Sequence, residues 1–170
     1  MVSPVAVESA VAQAISSIPD PEVPVVSIAD LGILRSVDID EHAHTVAVTI
    51  TPTYSGCPAM EAIASRIVFE ADRQGYAADV RTQLSPAWTT DWMSEQGREA
   101  LRRFGIAPPG AVAAGESRGP VPVAISRHVV TCPHCGASDT TEISHFGSTA
   151  CKALRRCNAC LEPFEEFKAI

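Results

Sequence analysis

Cys132-Pro-His-Cys135 is followed, after 21 intervening residues, by Cys157-Asn-Ala-Cys160. Two thiolates separated by two residues can reach one metal ion from a tight turn, and two such turns complete a tetrahedron of sulfur ligands. We therefore predict a zinc ribbon in which all four cysteines hold a structural zinc ion. The metal would supply the folding free energy that a segment of about 40 residues cannot obtain from an apolar core. Disulfides and an iron centre are the alternatives.

Three further residues near these motifs are weaker candidates for metal binding. Cys151 is an unmatched fifth thiol in the stretch 146–154, and it is either a small half-buried residue or a spare ligand. His134 lies inside the first motif, and His145 lies between the two motifs. Either histidine could replace a cysteine, but the four thiolates are better placed, so we expect both histidines to face solvent or to support a ligand.

The distribution of cysteine, proline and glycine divides this chain of 170 residues. Five of the six cysteines follow residue 130, and Cys57 alone lies in the long first part. Between the two parts, prolines and glycines are dense enough to interrupt helices and strands, which is typical of a linker. We predict a first domain at residues 1–105, a linker at 106–127 and the zinc ribbon at 128–170.

Composition disfavours several classes of protein. Thirteen basic against twenty acidic side chains give a net charge of −7, which disfavours binding to nucleic acid. No run of residues approaches the roughly 18 apolar residues of a membrane span, and no glycine-rich loop for a nucleotide is present. The first eight residues lack the basic and uniformly apolar regions of a signal peptide, so we expect a cytoplasmic protein with reduced thiols.

The first half of the first domain is predicted to form a helix and a hairpin. Ser3-Pro4 has the residue types of a helix start, and the prolines of Asp20-Pro-Glu-Val-Pro24 end that helix. Apolar residues then alternate with polar ones at 33–40 and 45–51, around a short polar turn. This period of two predicts a pair of antiparallel strands.

The second half is predicted to add two helices and one strand. A helix begins at Cys57-Pro58 and ends at Gly75, and a weaker strand follows at 78–84. A last helix, which Thr90 or Asp91 can cap, ends at Gly105. The order α-β-β-α-β-α indicates an α+β fold with helices layered on a small sheet.

Cys57, Asp20 and Glu22 are the candidate functional residues of this domain. Cys57 stands at a helix start, where the positive end of the helix dipole favours the thiolate and suits a nucleophile or a soft metal ligand. The alternative is a buried structural cysteine. Asp20 and Glu22 lie in a proline-stiffened loop, where carboxylates can bind a metal or a basic group. Alternatively, Asp20 caps a turn and Glu22 is solvated.

These stretches resemble a known family. Asp20-Pro-Glu-Val-Pro24, Leu31-Gly-Ile33, the hairpin and Cys57-Pro58 resemble the domain shared by bacterial SufT and the eukaryotic MIP-type iron–sulfur targeting proteins, over about the first hundred residues. The stretches 85–94, 102–109 and 146–154, together with the paired cysteine motifs, resemble more narrowly the PaaD family of phenylacetate degradation, also called PaaJ. This second similarity covers nearly the whole chain.

The resemblance implies a MIP-type assembly domain followed by a zinc ribbon, in an accessory component of the oxygenase that epoxidises phenylacetyl-CoA. It implies that the chain assists assembly of an iron–sulfur or iron centre in the oxygenase and reductase subunits, without catalytic activity of its own. Asp20, Glu22 and Cys57 match the suspected functional positions of the wider family, and iron or a cluster would bind there transiently.

Two alternatives remain beside this expectation. The chain could be a structural or regulatory subunit of the oxygenase that does no metal chemistry. It could also form a homodimer in which two protomers contribute Cys57. We expect the ribbon and the stretch 146–154 to present the surface that binds the partner subunits.

Overall fold

The computed structural model describes residues 9–110 and 129–169, which divide between two units, Met1–Ala100 and Leu101–Ile170. The first unit contains helix α1 (Ala10–Ser16), strands β1 (Leu34–Asp40) and β2 (Thr45–Ile50), helix α2 (Ala59–Arg73), strand β3 (Ala77–Thr82), a 3-10 turn (Thr90–Trp92) and the start of helix α3 (Glu95–Phe104). The predicted α+β order is confirmed. Among the described residues, no helix has both the length and the apolar character needed to cross a membrane.

Helix α1 begins directly after Ser9. The Oγ atom of Ser9 accepts a hydrogen bond from the backbone N–H of Ala12 at 3.2 Å, which satisfies a donor that the first helical turn leaves unpaired. Val11 and Ile15 are buried on one face of the helix, as its apolar periodicity predicts. The predicted start at Ser3-Pro4 lies outside the described residues.

The sheet of the first unit has the order β1-β2-β3, in which β1 and β2 are antiparallel and β2 and β3 are parallel. Val46, Val48 and Ile50 alternate along β2 and are almost fully buried. Helix α2 packs against β3 and buries Ile63 and Ile67. The apolar core therefore lies between the helices and one face of the sheet, and the loops lie at the two ends of the strands.

Helix α3 is capped by Ser94 rather than by Thr90 or Asp91, so the predicted cap is wrong. The Oγ atom of Ser94 accepts a hydrogen bond from the backbone N–H of Gly97 at 2.9 Å and donates one to Asp30 Oδ1 at 2.6 Å. Thr90 is instead buried in the 3-10 turn. Asp30 precedes Ser94 by 64 residues, so this contact left no local pattern in the sequence.

The second unit is a four-stranded sheet. Its strands are β4 (Ile106–Ala107), β5 (Thr140–Ser144), β6 (Lys152–Cys157) and β7 (Pro163–Phe167), in the order β4-β7-β6-β5. The predicted linker begins at Ile106, but Ile106 and Ala107 pair with β7 as part of this sheet. Residues 111–127 of that linker lie outside the described residues, so the domain boundaries stay predictions.

The apolar core of the second unit is small. Its buried members are Ala107, Val130, Cys132, Cys157 and Phe164. Two ion pairs with buried cations lie in the same sheet, where Lys152 Nζ is 2.9 Å from Glu165 and Arg155 is 2.8 Å from Glu166. A core of this size stabilises a fold weakly, so further crosslinking is expected.

We predict that Ser94→Ala destabilises the first unit by about 1–2 kcal/mol, because the substitution removes the helix cap and a donor to Asp30. Asp91→Ala is the matched control: it removes the exposed carboxylate that the sequence offered as a cap, and it should change stability by less than about 0.5 kcal/mol. Both tryptophans, Trp88 and Trp92, lie in the first unit, so urea unfolding followed by tryptophan fluorescence measures its stability. Equal losses in the two variants would contradict the capping role of Ser94.

Candidate metal centre

The two cysteine motifs meet in the second unit. Their four Sγ atoms lie within 4.8 Å of one another. Cys132 Sγ is 3.8 Å from Cys160 Sγ, and Cys135 Sγ is 3.5 Å from Cys157 Sγ. Tetrahedral zinc–sulfur bonds of about 2.3 Å place two sulfurs roughly 3.8 Å apart. The four thiols therefore have the spacing that one metal ion requires.

All six cysteines of the chain lie in the described residues, and none of them forms a disulfide. The closest sulfur pairs are Cys132 with Cys160 and Cys135 with Cys157. A disulfide would bring such a pair to about 2.05 Å. The disulfide alternative for the ribbon is therefore not what the structure adopts.

Both motifs form the same kind of turn. The carbonyl oxygen of Cys132 accepts a hydrogen bond from the N–H of Gly136 at 2.9 Å, and that of Cys157 accepts one from Leu161 at 3.1 Å. Gly136 and Leu161 each follow the second cysteine of their motif and have φ of 77° and 67°. The two matching turns point their thiols towards a common centre, as is typical of zinc ribbons.

The electrostatics of the cluster favour a bound cation. The backbone N–H of Cys160 donates to Cys157 Sγ at 3.5 Å, and this hydrogen bond lowers the pKa of the Cys157 thiol to about 7. For Cys160, the backbone N–H of Glu162 acts to lower the pKa, but burial and the neighbouring sulfurs raise it to about 12. Thiols this close cannot all ionise unless a positive charge lies among them. The donor set therefore fits a metal ion such as zinc.

Four thiolates would fill a tetrahedral coordination sphere and leave no position for a substrate. Cys132 and Cys157 also belong to the small apolar core of the unit, so the site and the core are continuous. A metal held there would contribute directly to folding free energy, because the ligands come from turns at the two ends of the ribbon sequence. The arrangement supports a structural role.

The other residues near the motifs do not join this cluster. Cys151 is buried, and its Sγ atom is 3.0 Å from Thr149 Oγ1. The exposed ring of His145 has its Nδ1 atom 3.5 Å from a carboxylate oxygen of Glu142. His134 is also exposed and adjoins Gly105. Their environments agree with the expectation that four better-placed thiols make up the ligand set.

Asp20 organises the loop in which it lies. Its side chain is only 4% exposed, and Oδ1 accepts hydrogen bonds from the backbone N–H groups of Glu22 at 2.9 Å and Val23 at 2.8 Å. This is the turn-capping geometry that the sequence allowed for Asp20. Glu22 is half-buried in the same turn. The loop therefore uses at least one carboxylate oxygen of Asp20 for its own structure.

Cys57 lies just before helix α2, as predicted. Its N–H donates to the carbonyl oxygen of Tyr54 at 3.1 Å, and its thiol belongs to a half-buried residue. Helix α2 begins two residues later and has no side-chain cap at its N-terminus. The thiol is thus near unpaired N–H groups of a 15-residue helix and is not enclosed in the apolar core.

The loops of Asp20 and Cys57 converge on one end of the first sheet. Leu34, the first residue of β1, pairs with Ile50, the last residue of β2, and Ile50 is also aligned with Thr82 at the end of β3. The loop that carries Asp20 leads into β1, and the loop that carries Cys57 leaves β2. The topology therefore brings both loops to the same side of the sheet.

Convergence of the loops does not by itself create a second metal centre. Among the described residues, Asp20, Glu22 and Cys57 do not form a group with the close ligand spacing of the four cysteines. The three residues are thus neighbours by topology rather than a preformed ligand set. Any metal held there would need further ligands from another molecule.

Thr51 is a residue of this sheet end that the sequence analysis missed. Its side chain is 1% exposed, and its Oγ1 atom has no hydrogen-bond partner among the described residues. Its backbone N–H, in contrast, donates to the carbonyl oxygen of Ile33 at 2.8 Å. A buried hydroxyl without a partner costs free energy, so stability alone does not explain it. The available sequence signal was the threonine-rich segment after β2.

Two family models match the chain. The PaaD zinc beta ribbon domain matches residues 119–168, and the Iron-sulfur cluster assembly protein family matches residues 8–70. A protein of Escherichia coli (strain K12), named as a putative subunit of 1,2-phenylacetyl-CoA epoxidase, is 46% identical over 157 residues, which cover 92% of this chain and 89% of that protein. This chain belongs to the PaaD family.

Membership of the PaaD family confirms the resemblance that the sequence motifs suggested. The ribbon match includes all four clustered cysteines, and the assembly-domain match includes Asp20, Glu22 and Cys57. The crystal structure of Domain of Unknown Function DUF59 from Bacillus anthracis is also similar. It has 27% sequence identity and a TM-score of 0.48, and it covers 52% of this chain and 85% of that chain.

We predict that Cys135→Ser lowers the metal content of the purified protein to less than about a tenth of the wild-type value, because a tetrathiolate site loses one of its ligands. Cys151→Ala is the matched control, since it removes a buried thiol outside the cluster and should keep the full metal content. Elemental analysis after gel filtration in a weak chelator measures both. Retention of metal by Cys135→Ser would contradict the ligand assignment, and iron in place of zinc would support the iron-centre alternative.

Proposed function

We propose that this PaaD-family chain is an accessory protein of a 1,2-phenylacetyl-CoA epoxidase and assists assembly of iron–sulfur or iron centres in partner subunits. The observation that carries the proposal is the presence of an iron–sulfur assembly domain and a PaaD ribbon in one chain. The name of the Escherichia coli relative supports partners of the oxygenase and reductase type. In this proposal the chain catalyses no step of its own and acts in the cytoplasm, where thiols stay reduced.

In this proposal the ribbon and the first unit have separate tasks. The ribbon holds zinc through Cys132, Cys135, Cys157 and Cys160. Zinc supplies a fixed crosslink between the two turns, and the iron or cluster is cargo that the first unit handles. Separate tasks are chemically reasonable because a filled tetrathiolate cannot exchange its ion easily, whereas an assembly factor must release what it carries.

Cys57 is the proposed cargo ligand. Its thiol is half-buried at the start of α2, and the unpaired N–H groups of the first turn favour the thiolate, the form that binds iron. Cys57 belongs to no cluster of ligands among the described residues, and a single thiol binds weakly, so the cargo can pass to a partner that offers more ligands. Asp20 and Glu22 lie in the loop at the same sheet end and are the proposed carboxylate contacts.

Nucleic acid is not a partner in this proposal. Lys152 and Arg155 are basic residues of the ribbon, but both are buried and paired with Glu165 and Glu166. Paired and buried cations are poorly placed to displace counterions from a phosphate backbone. The net charge of −7 acts in the same direction.

A structural or regulatory subunit of the epoxidase is the second candidate. Two observations favour it: Asp20 uses a carboxylate oxygen to hold its own loop, and Asp20, Glu22 and Cys57 do not form a ligand cluster among the described residues. In this case the first unit would contribute contact surface rather than metal chemistry. The two candidates differ in whether the thiol of Cys57 is required.

We predict that Cys57→Ser, co-expressed with the oxygenase and reductase subunits, lowers the iron content of those subunits at least about threefold, because serine is a poor ligand for iron of an assembling cluster. Cys151→Ala serves as the control for loss of a thiol elsewhere. Iron analysis of the separated partner subunits gives the readout. Unchanged iron content with a stable complex would favour the structural subunit.

Asp20→Asn separates the two possible uses of Asp20. Asparagine keeps an Oδ1 acceptor for the N–H groups of Glu22 and Val23 but loses the negative charge. If the charge contacts cargo, the variant should fold with wild-type stability and lower partner iron in the same direction as Cys57→Ser. Normal iron content in Asp20→Asn would limit the role of Asp20 to its turn.

The proposed partner surface is the first part of the stretch 146–154. Phe146 is 63% exposed, and its ring is held by Lys168, whose Nζ atom is 4.7 Å from the ring centroid and donates to the carbonyl oxygen of His145 at 3.0 Å. An exposed but fixed aromatic ring loses little entropy on binding. Residues 151–153 are buried, so the second part of the stretch supports the loop instead of contacting a partner.

We predict that Phe146→Ala weakens binding to the partner subunits about tenfold or more, since truncation of an exposed aromatic anchor is a typical hot-spot loss. Phe69→Ala is the matched control, because Phe69 of α2 is similarly exposed, at 51%, and lies in the other unit. Titration calorimetry with the purified oxygenase subunits measures the difference. Equal affinities of the two variants would exclude Phe146 as an anchor.

A further inference from the structure

Strand β3 forms an edge of the first sheet, and its outward backbone groups can be assigned. The N–H of Ala77 donates to His44 at 2.9 Å, and that of Gln83 donates to Ile50 at 2.8 Å, both towards β2. In a parallel ladder only alternate residues bond to a given neighbour. The N–H and C=O groups of Ala78, Val80 and Thr82 therefore point away from β2, and no strand lies beyond β3 among the described residues.

The exposed face of β3 carries one charge of each sign. The side chains of Asp79 and Arg81 are 59% and 70% exposed, and Arg81 Nε donates to Asp79 Oδ2 at 2.8 Å within the strand. The two residues are two positions apart, so they lie on the same face of the sheet. Val80, on the other face, lies between them.

We propose that two copies of this chain associate through β3, as antiparallel strands related by a two-fold axis at Val80. In this register Val80 bonds to Val80 of the partner subunit, and Ala78 bonds to Thr82 of the partner subunit. All of these are outward-pointing backbone groups. Asp79 then lies opposite Arg81 of the partner subunit, in the non-hydrogen-bonded position where facing side chains are closest.

Backbone geometry and charge independently select this register. The three outward residues 78, 80 and 82 all find partners among one another only when the axis passes through Val80. The same axis is the one that pairs each acidic side chain with a basic one. Parallel pairing in register would instead place Asp79 against Asp79 and Arg81 against Arg81, which is repulsive. Charges on an edge strand usually prevent association, but this sequence is complementary to itself.

The proposed dimer also determines where the two Cys57 sites lie. Antiparallel pairing of β3 places the carboxyl ends of the two copies at opposite ends of a six-stranded sheet. Cys57 follows β2, which is parallel to β3, so the two Cys57 loops also lie at opposite ends. The dimer therefore carries two separate sites, and it does not allow two protomers to share one metal through Cys57.

Charge reversal tests the interface in the full-length, metal-loaded protein by sedimentation equilibrium. The wild-type protein should show a mass rising with concentration from 18.0 kDa towards twice that value. Asp79→Lys and Arg81→Glu should each raise the dimer dissociation constant at least about tenfold, because each creates two like-charge contacts. The double variant should dimerise again, and a mixture of the two single variants should form a heterodimer.

Hydrogen exchange gives a second readout that does not depend on variants. The N–H groups of Ala78, Val80 and Thr82 should become protected as protein concentration rises, whereas those of Asp79 and Arg81 should be protected by β2 at every concentration. A protein that stays monomeric at its highest soluble concentration would overturn the proposal. So would a dimer that is indifferent to charge reversal, since it would use another surface.

Discussion

Four thiols within 4.8 Å of one another place a strong electrostatic constraint on the second unit. Burial and mutual repulsion prevent them from ionising together, and the unequal pKa values of Cys157, about 7, and Cys160, about 12, express this conflict. A cation among the sulfurs removes it. Because Cys132 and Cys157 are also part of the small apolar core, metal binding and folding of the ribbon become one event.

The position of the other ribbon elements depends on the same centre. Strand β6 ends at Cys157, and β7 begins three residues after Cys160, so the second turn sets the pairing of these strands. The ion pairs of Lys152 and Arg155 with β7 follow from that pairing. Phe146 lies on the loop that β6 continues, and Lys168, just after β7, holds its ring. The proposed surface for partner subunits is thus built on a metal-dependent scaffold.

The first unit rests on apolar packing and on hydrogen bonds between distant loops. Its predicted helices and strands agree with the structure where the signal is local, as in the alternation along β2 and the amphipathic face of α2. The cap of α3 differs because Ser94 is positioned by Asp30, which is remote in the chain. Strand β4 differs for a similar reason, since Ile106 becomes a strand residue only by pairing with β7.

The sequence by itself determined the ligands of the metal centre and the order of the elements, because the spacing within a turn and the period of a strand or helix are local properties. It also marked Asp20, Glu22 and Cys57 through family resemblance. Only the tertiary structure showed that Asp20 holds its own loop, that Thr51 has an unpaired buried hydroxyl among the described residues, and that β3 is an edge with complementary charges. Burial, hydrogen-bond satisfaction and strand order depend on residues far apart in the chain, so no local pattern records them.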